Sequence, residues 1–102
     1  MKLEHISQEE LKRQVKEIVR QQLPGGNYRL FFFGSRVKGD SSQRSDIDLG
    51  IESDQQLSAK TKLEIEERLQ DLPTLYKIEL VDFNKVSADF KKIALKYSEV
   101  IN

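Results

Sequence analysis

Hydrophobic positions along the chain fall into two periodicities. Leu11, Val15, Ile18, Val19 and Leu23 recur at helical spacing behind Ser7-Gln8-Glu9-Glu10, a capping-box sequence in which Ser7 caps and Glu10 reaches back. Pro24-Gly25-Gly26 stops this predicted helix. Tyr28-Arg29-Leu30-Phe31-Phe32-Phe33 is aromatic-rich and too short for a helix, so it reads as a buried strand that ends at Gly34. Residues 35–45 are polar and contain Gly39, Asp40, Ser41 and Ser42, which is loop or short-helix composition. Asp46-Ile47-Asp48-Leu49-Gly50-Ile51 alternates with period two, as a half-covered strand does. A second amphipathic helix is expected from about Leu57 to Leu72, with Leu63, Ile65, Leu69 and Leu72 apolar and Pro73 beyond it. Tyr76 to Phe83 is the third strand. Ser87 caps a last helix, with Phe90, Ile93, Ala94 and Tyr97 on its inner side. The order α-β-β-α-β-α predicts an α/β (α+β) fold, a small mixed sheet of about three strands covered by helices.

Length adds one constraint. A chain of 102 residues has the size of one domain, spanning 1–102, with one modest core and little room for a deep second pocket. Charge adds another. Seventeen basic and seventeen acidic residues cancel, which argues against the broad positive field of a nonspecific nucleic-acid binder but permits a local phosphate site. There is no cysteine, hence no disulfide and no thiolate metal site. Met1 is followed by Lys2, Glu4 and His5 rather than an apolar signal region, and no apolar run reaches the roughly 18 residues of a membrane span. The expectation is a soluble, cytoplasmic protein.

Chemistry concentrates in the second strand. Residues i and i+2 of a strand share a face, so Asp46 and Asp48 stand side by side, about 7 Å apart along the backbone. Ile47, Leu49 and Ile51 point the opposite way, into the core. Adjacent carboxylates repel unless a cation lies between them. Oxygen-only ligands suit Mg²⁺, which takes one or two carboxylates plus substrate phosphates. Taken alone, Asp-x-Asp reads equally as two acids on a solvent-facing edge strand. The upstream segment changes that balance. Gly34 allows close approach of backbone to a ligand, and a helical turn opening at Ser35 would offer N–H groups and a hydroxyl to phosphate oxygens. Arg36 and Lys38 add positive charge. Gly34 and Gly39 have a partial Walker A spacing, but Asp40 stands where that motif needs lysine, which excludes a P-loop.

Gly34-Ser35-Arg36-Val37-Lys38-Gly39 followed by Ser45-Asp46-Ile47-Asp48-Leu49 resembles the signature of the minimal nucleotidyltransferases, a branch of the polymerase-β-like superfamily. The likeness continues through Lys77-Ile78-Glu79-Leu80-Val81-Asp82-Phe83 to the C-terminal helix. It implies Mg²⁺-dependent transfer of a nucleoside monophosphate, AMP from ATP, to a hydroxyl. Asp46 and Asp48 would hold metal, while Gly34, Ser35, Arg36 and Lys38 would hold the nucleotide. The family takes a third metal-binding carboxylate from a later strand, usually aspartate. Glu79 shares the face of Asp46 and Asp48 if both strands turn their other side to the core, and it is the choice here. Asp82, on the Ile78 side, is the alternative and is assigned to the following turn.

The resemblance also implies a partner. Minimal nucleotidyltransferases pair with a small helical HEPN protein as antitoxin to toxin, and some transfer AMP to a tyrosine of it. The expected partners are therefore ATP and a HEPN-type protein, with the apolar Tyr97-Ser98-Glu99-Val100-Ile101 tail as a candidate contact, and with neither stable nucleic-acid binding nor a membrane. That tail folding back on its own core is the competing expectation. The rival function is an antitoxin that neutralises by contact, because glutamate replaces aspartate at position 79. A small-molecule adenylyltransferase is a weaker third reading, since such enzymes carry a second domain. His5, Arg44 and the Lys/Glu pattern of residues 60–68 read as solvated, and Phe31, Phe32 and Phe33 as core.

Overall fold

A computed structural model describes residues 6–34, 46–74 and 76–102. Its elements are α1 (Gln8–Gln22), β1 (Tyr28–Phe33), β2 (Ile47–Ser53), α2 (Ala59–Gln70), β3 (Ile78–Asp82), α3 (Ala88–Leu95) and β4 (Ser98–Val100). Each helix begins at a serine whose hydroxyl accepts a backbone N–H three residues on, at 3.1 Å: Ser7 from Glu10, Ser58 from Thr61 and Ser87 from Phe90. The expected capping box is only half formed. The Glu10 carboxylate accepts from Arg13 and Gln14, one turn further into α1, and a charged donor outcompetes the backbone N–H of Ser7.

The strands form one mixed sheet in the order β3-β2-β1-β4. β1 pairs antiparallel with β2 and with β4, whereas β2 and β3 run parallel, joined over α2. One face carries the main core. There Leu30, Phe32, Ile47, Leu49, Ile51, Ile78 and Leu80 meet Leu11, Val15 and Val19 of α1 and Ile65 and Leu69 of α2, all buried. Leu63, expected to point inward, is 55% exposed, because the inward stripe of α2 passes through Ile65 and Leu69 instead.

The other face was expected to be open, and it is covered in part. Phe31, Phe33 and Phe83 pack edge to face beneath α3, with Phe31–Phe83 and Phe33–Phe83 ring centroids 4.7 and 5.1 Å apart. Gly50 makes the space for them. A Cβ at that position would enter the ring of Phe31 and crowd Phe83. An ion pair between Lys91 of α3 and Glu52 of β2 ties the helix down, and Arg29 joins Glu52 at 2.9 Å while its guanidinium lies 5.7 Å from the Phe31 ring centre. The Lys91 bond, and then the charges of Lys91 and Arg29, hold the Glu52 carboxyl below the usual carboxylate range. Clamped this way, α3 turns Ala94 and part of Phe90 inward. Ile93, expected on the inner side, is 72% exposed.

The C-terminal segment supplies a fourth strand. β4 pairs with β1 as Phe31↔Val100, Phe32↔Glu99 and Phe33↔Ser98. The pairing continues past the strand: Ile101 N donates to Leu30 O at 2.8 Å, and Leu30 N donates to Asn102 Oδ1 at 2.7 Å. Ile101 is buried in the main core while Val100 is 59% exposed on the other face. Of the two fates expected for the tail, it takes the intramolecular one.

Two measurements check this packing. Ile101→Ala should lower unfolding free energy by about 2 kcal/mol or more in urea titrations, and Val100→Ala by less than about 0.5. Equal effects would mean that the tail is undocked. Gly50→Ala should cost about 1–3 kcal/mol by overpacking the Phe31 and Phe83 rings, with the near-ultraviolet aromatic signal changed.

Candidate active site

Strand pairing collects three acids at one end of the α3-covered face. β2 and β3 are in register at Ile47↔Ile78 and Asp48↔Glu79, so the carboxylates of Asp48 and Glu79 rise from neighbouring positions on the same side. Ile47 N donates to Lys77 O at 2.9 Å, which seats the start of β2 against the residue before β3. Continuing the register by one residue places Asp46 beside Lys77. Asp46 and Glu79 are exposed, and Asp48 is half-buried.

Asp48 sits deeper for a local reason. Its partner on β1 is Phe33, part of the aromatic cluster, and Gly34 follows in the left-handed region at φ +88°. A Cβ on Gly34 would fall on the Asp48 carboxylate. The missing side chain thus makes the space in which this acid group stands. Burial raises the Asp48 pKa above its ordinary value of 3.8, and the negative charges of Glu79 and then Asp46 raise it further. Repulsion on Asp48 from both other acids shows that the three are electrostatically one cluster.

The donor set is oxygen-only, and its accumulated negative charge suits a hard divalent cation. Among the described residues, however, no three His, Cys, Asp or Glu side chains are gathered around a single point. Glu79 is turned towards Lys77, with Oε1 to Nζ 3.6 Å. The residues fit Mg²⁺ in donor chemistry and in sharing a face, with Glu79 engaged elsewhere.

Asp82, the other candidate for third acid, faces away. It is 4% exposed, and its carboxylate accepts Leu57 N at 3.1 Å and Asn84 N at 2.9 Å. Lys85 approaches at 4.0 Å and also donates to Leu57 O. Asp82 therefore fixes the turn after β3 to the approach to α2. Ser35, Arg36 and Lys38, expected around the phosphates, lie outside the described residues, as do His5 and Arg44. Lys77 is the neighbour that sequence reasoning passed over. Its signal was available, since a cation two residues before Glu79 on a strand shares its face.

Two cavities among the described residues lie elsewhere. One of about 330 Å³ is lined by Leu23, Tyr28, Asp54 and Thr61 at the far end of the sheet, and a shallow polar groove runs beside Glu64, Arg68 and Asp71. Neither reaches the acid cluster.

A family model described as Polymerase beta, Nucleotidyltransferase matches residues 13–102. The chain is 35% identical over 87 residues to "Probable protein adenylyltransferase MntA" of Haemophilus influenzae, covering 85% of this chain and 75% of that one. A crystal structure of a toxin-antitoxin with AMP-PNP superposes with a TM-score of 0.71 at 19% identity, covering 89% of this chain and 72% of that one. A tri-AMPylated Shewanella oneidensis HEPN toxin in complex with MNT antitoxin gives 0.68 at 16% identity, covering 90% and 69%. The two structural likenesses speak to fold, and the sequence match to descent. The chain belongs to the polymerase β nucleotidyltransferase family and, within it, resembles the MntA-type antitoxins.

Proposed function

We propose that this protein is a Mg²⁺-dependent nucleotidyltransferase that moves AMP from ATP to a hydroxyl of a helical HEPN-type partner, a tyrosine side chain, and so acts as its antitoxin. The observation that carries this reading is the adjacency of Asp48 and Glu79 on paired strands, with Asp46 beside them. The 35% identity to a protein named as an adenylyltransferase supports the reaction class. The fold shared with antitoxins solved beside HEPN toxins and with AMP-PNP supports the partner and the nucleotide.

Phosphoryl-type transfer asks a protein chiefly for positioning and charge neutralisation. Asp46, Asp48 and Glu79 would hold Mg²⁺, which supplies charge neutralisation on the phosphate oxygens. Gly34 leaves room for the Asp48 carboxylate and lets its own backbone approach the nucleotide, and Ser35, Arg36 and Lys38 hold the phosphates. The acceptor oxygen bonds to the α-phosphorus, the bond to the bridging oxygen breaks, and pyrophosphate leaves. Glu79, the more exposed acid beside Asp48, takes the acceptor proton. Asp82 touches no reacting atom and keeps the end of β3 in place.

One observation favours a second reading, neutralisation by contact alone. Ile93 and Val100 leave apolar side chains in solvent on the α3 side, and Glu79 is engaged by Lys77. Intact mass of the co-purified complex after ATP and Mg²⁺ separates the two. Gain of AMP mass on the partner supports transfer. An unmodified partner that is nonetheless inhibited supports contact.

Glu79→Gln should reduce transfer by more than the roughly 10- to 100-fold that partners one layer outside a metal site cost. Its urea midpoint should stay unchanged. Asp82→Ala should instead lower stability by about 1–3 kcal/mol, since two backbone N–H groups lose their acceptor. The reverse pattern would assign the third acid to Asp82. Asp48 gives a pH signature in the metal-free protein. Its folded pKa is raised, so folding favours the neutral form. That stability is fully present below the unfolded pKa and is lost as pH rises through the folded one. Asp48→Asn should therefore raise the melting temperature at pH 7, and the gain should shrink as pH falls through the carboxylate range. A gain that grows with acid would contradict the raised pKa.

A further inference from the structure

Lys77 and Glu79 lie on one face, two residues apart, with Nζ and Oε1 at 3.6 Å and the side chains 62% and 46% exposed. The register completes a block of four charged side chains. Lys77 stands beside Asp46, and Glu79 beside Asp48. Among the described residues, Lys77 is the one cation within 4.0 Å of any of the three acids. Among the described residues, three carboxylates face one ammonium, which leaves the block short of positive charge.

Two cations therefore compete for Glu79. A divalent ion bound among the carboxylates and the Lys77 ammonium both gain from the same oxygens, and each disfavours the other there. Lysine suits an exchange of this kind. Its ammonium is a compact charge on a flexible four-carbon stem, with three donors that can be re-aimed. It also binds phosphate as a point charge rather than through a fixed fork. An ammonium released from Glu79 stays anchored next to Asp46, on the face where the triphosphate would lie. Glutamate reaches further than aspartate would, which brings its carboxylate within 3.6 Å of Lys77.

We propose that Lys77 is a positioning residue for nucleotide entry: it holds Glu79 in the free protein and moves to a phosphate oxygen when a divalent ion takes Glu79. The proposal rests on the metal–nucleotide reading of this site. It makes the free ion a weak ligand and the ion–nucleotide pair a strong one, so that metal enters together with its substrate.

Binding assays test it without turnover. Mn²⁺, a paramagnetic stand-in for Mg²⁺, is titrated into the nucleotide-free protein, and AMP-PNP with Mg²⁺ is titrated in parallel by calorimetry. Lys77→Met should bind free Mn²⁺ about two- to fivefold more tightly, the range of an exposed ion pair. The same variant should bind the nucleotide analogue more weakly than wild type. Lys77→Arg, which keeps the charge, should move both values back towards wild type. Unchanged or weaker Mn²⁺ binding by Lys77→Met overturns the proposal, as does undiminished binding of the analogue. Asp48→Asn serves as the reference. If it abolishes Mn²⁺ binding while Lys77→Met changes nothing, the site reading stands and this inference falls. If Asp48→Asn leaves Mn²⁺ binding intact, both fall together.

Discussion

Strand β2 carries opposite demands on its two sides. Ile47, Leu49 and Ile51 are fully withdrawn from water, and the carboxyl groups of Asp48 and Glu52 on the reverse side remain partly exposed. Because side chains alternate, a slip of one residue would bury the acids and expose the isoleucines. The register with β1 and β3 is therefore not adjustable. From that register follow the pairing of Asp48 with Phe33 on one side and Glu79 on the other, the room at Gly50 for the Phe31 and Phe83 rings, and the reach of Glu52 to Lys91. The helices on both faces are packed against a strand whose position the charge pattern has already determined.

That arrangement places an acid cluster beside a hydrophobic one. The aromatic side of the α3-covered face desolvates Asp48, and the neighbouring acids add repulsion. Burial and like charge both destabilise the ionised cluster. Two features temper the cost. The cluster lies at the end of the strands, where Asp46 and Glu79 remain in water, and Lys77 supplies a local countercharge. Glu52 shows the contrast. Four residues from Asp48 on the same face, it is flanked by Lys91 and Arg29, and its carboxyl is shifted the opposite way. One strand thus holds a structural acid paired with two cations and a second acid that, among the described residues, has no ion-pair partner.

Local rules made much of this readable in the sequence. Ser7 and Ser87, read as caps from the sequence, do cap their helices through contacts within three residues, and Ser58 caps α2 in the same way. Parity along a strand was enough to separate Glu79 from Asp82, because it depends only on which apolar residues are withdrawn. What the sequence hid was non-local. Ser98-Glu99-Val100 has no apolar alternation of its own and becomes a strand only because β1 offers an unpaired edge. Ile93 looked inward by helical spacing, but the facing of α3 is set by Glu52, which pairs with Lys91, and by the Phe33 and Phe83 rings against Phe90, all of them outside the helix. That Lys77 belongs with the Asp48 and Glu79 carboxylates could be seen only once the register between β2 and β3 was known.

The parallel pairing of β2 with β3 has a consequence in time. Asp48 and Glu79 become neighbours only after the chain has run through α2 and returned, so the contact closes a long loop. Antiparallel β1–β2 pairing also spans a connection, but it brings no second acid to Asp48. Long-range parallel pairing is entropically expensive and slow compared with forming the helices. The acid cluster should therefore be among the last features to assemble as the chain folds. Until β3 docks, the chain carries the aspartates without Glu79 beside them. On the proposed reading, affinity for metal is then a property of the finished fold, and topology rather than any side chain keeps an incompletely folded chain from sequestering ions.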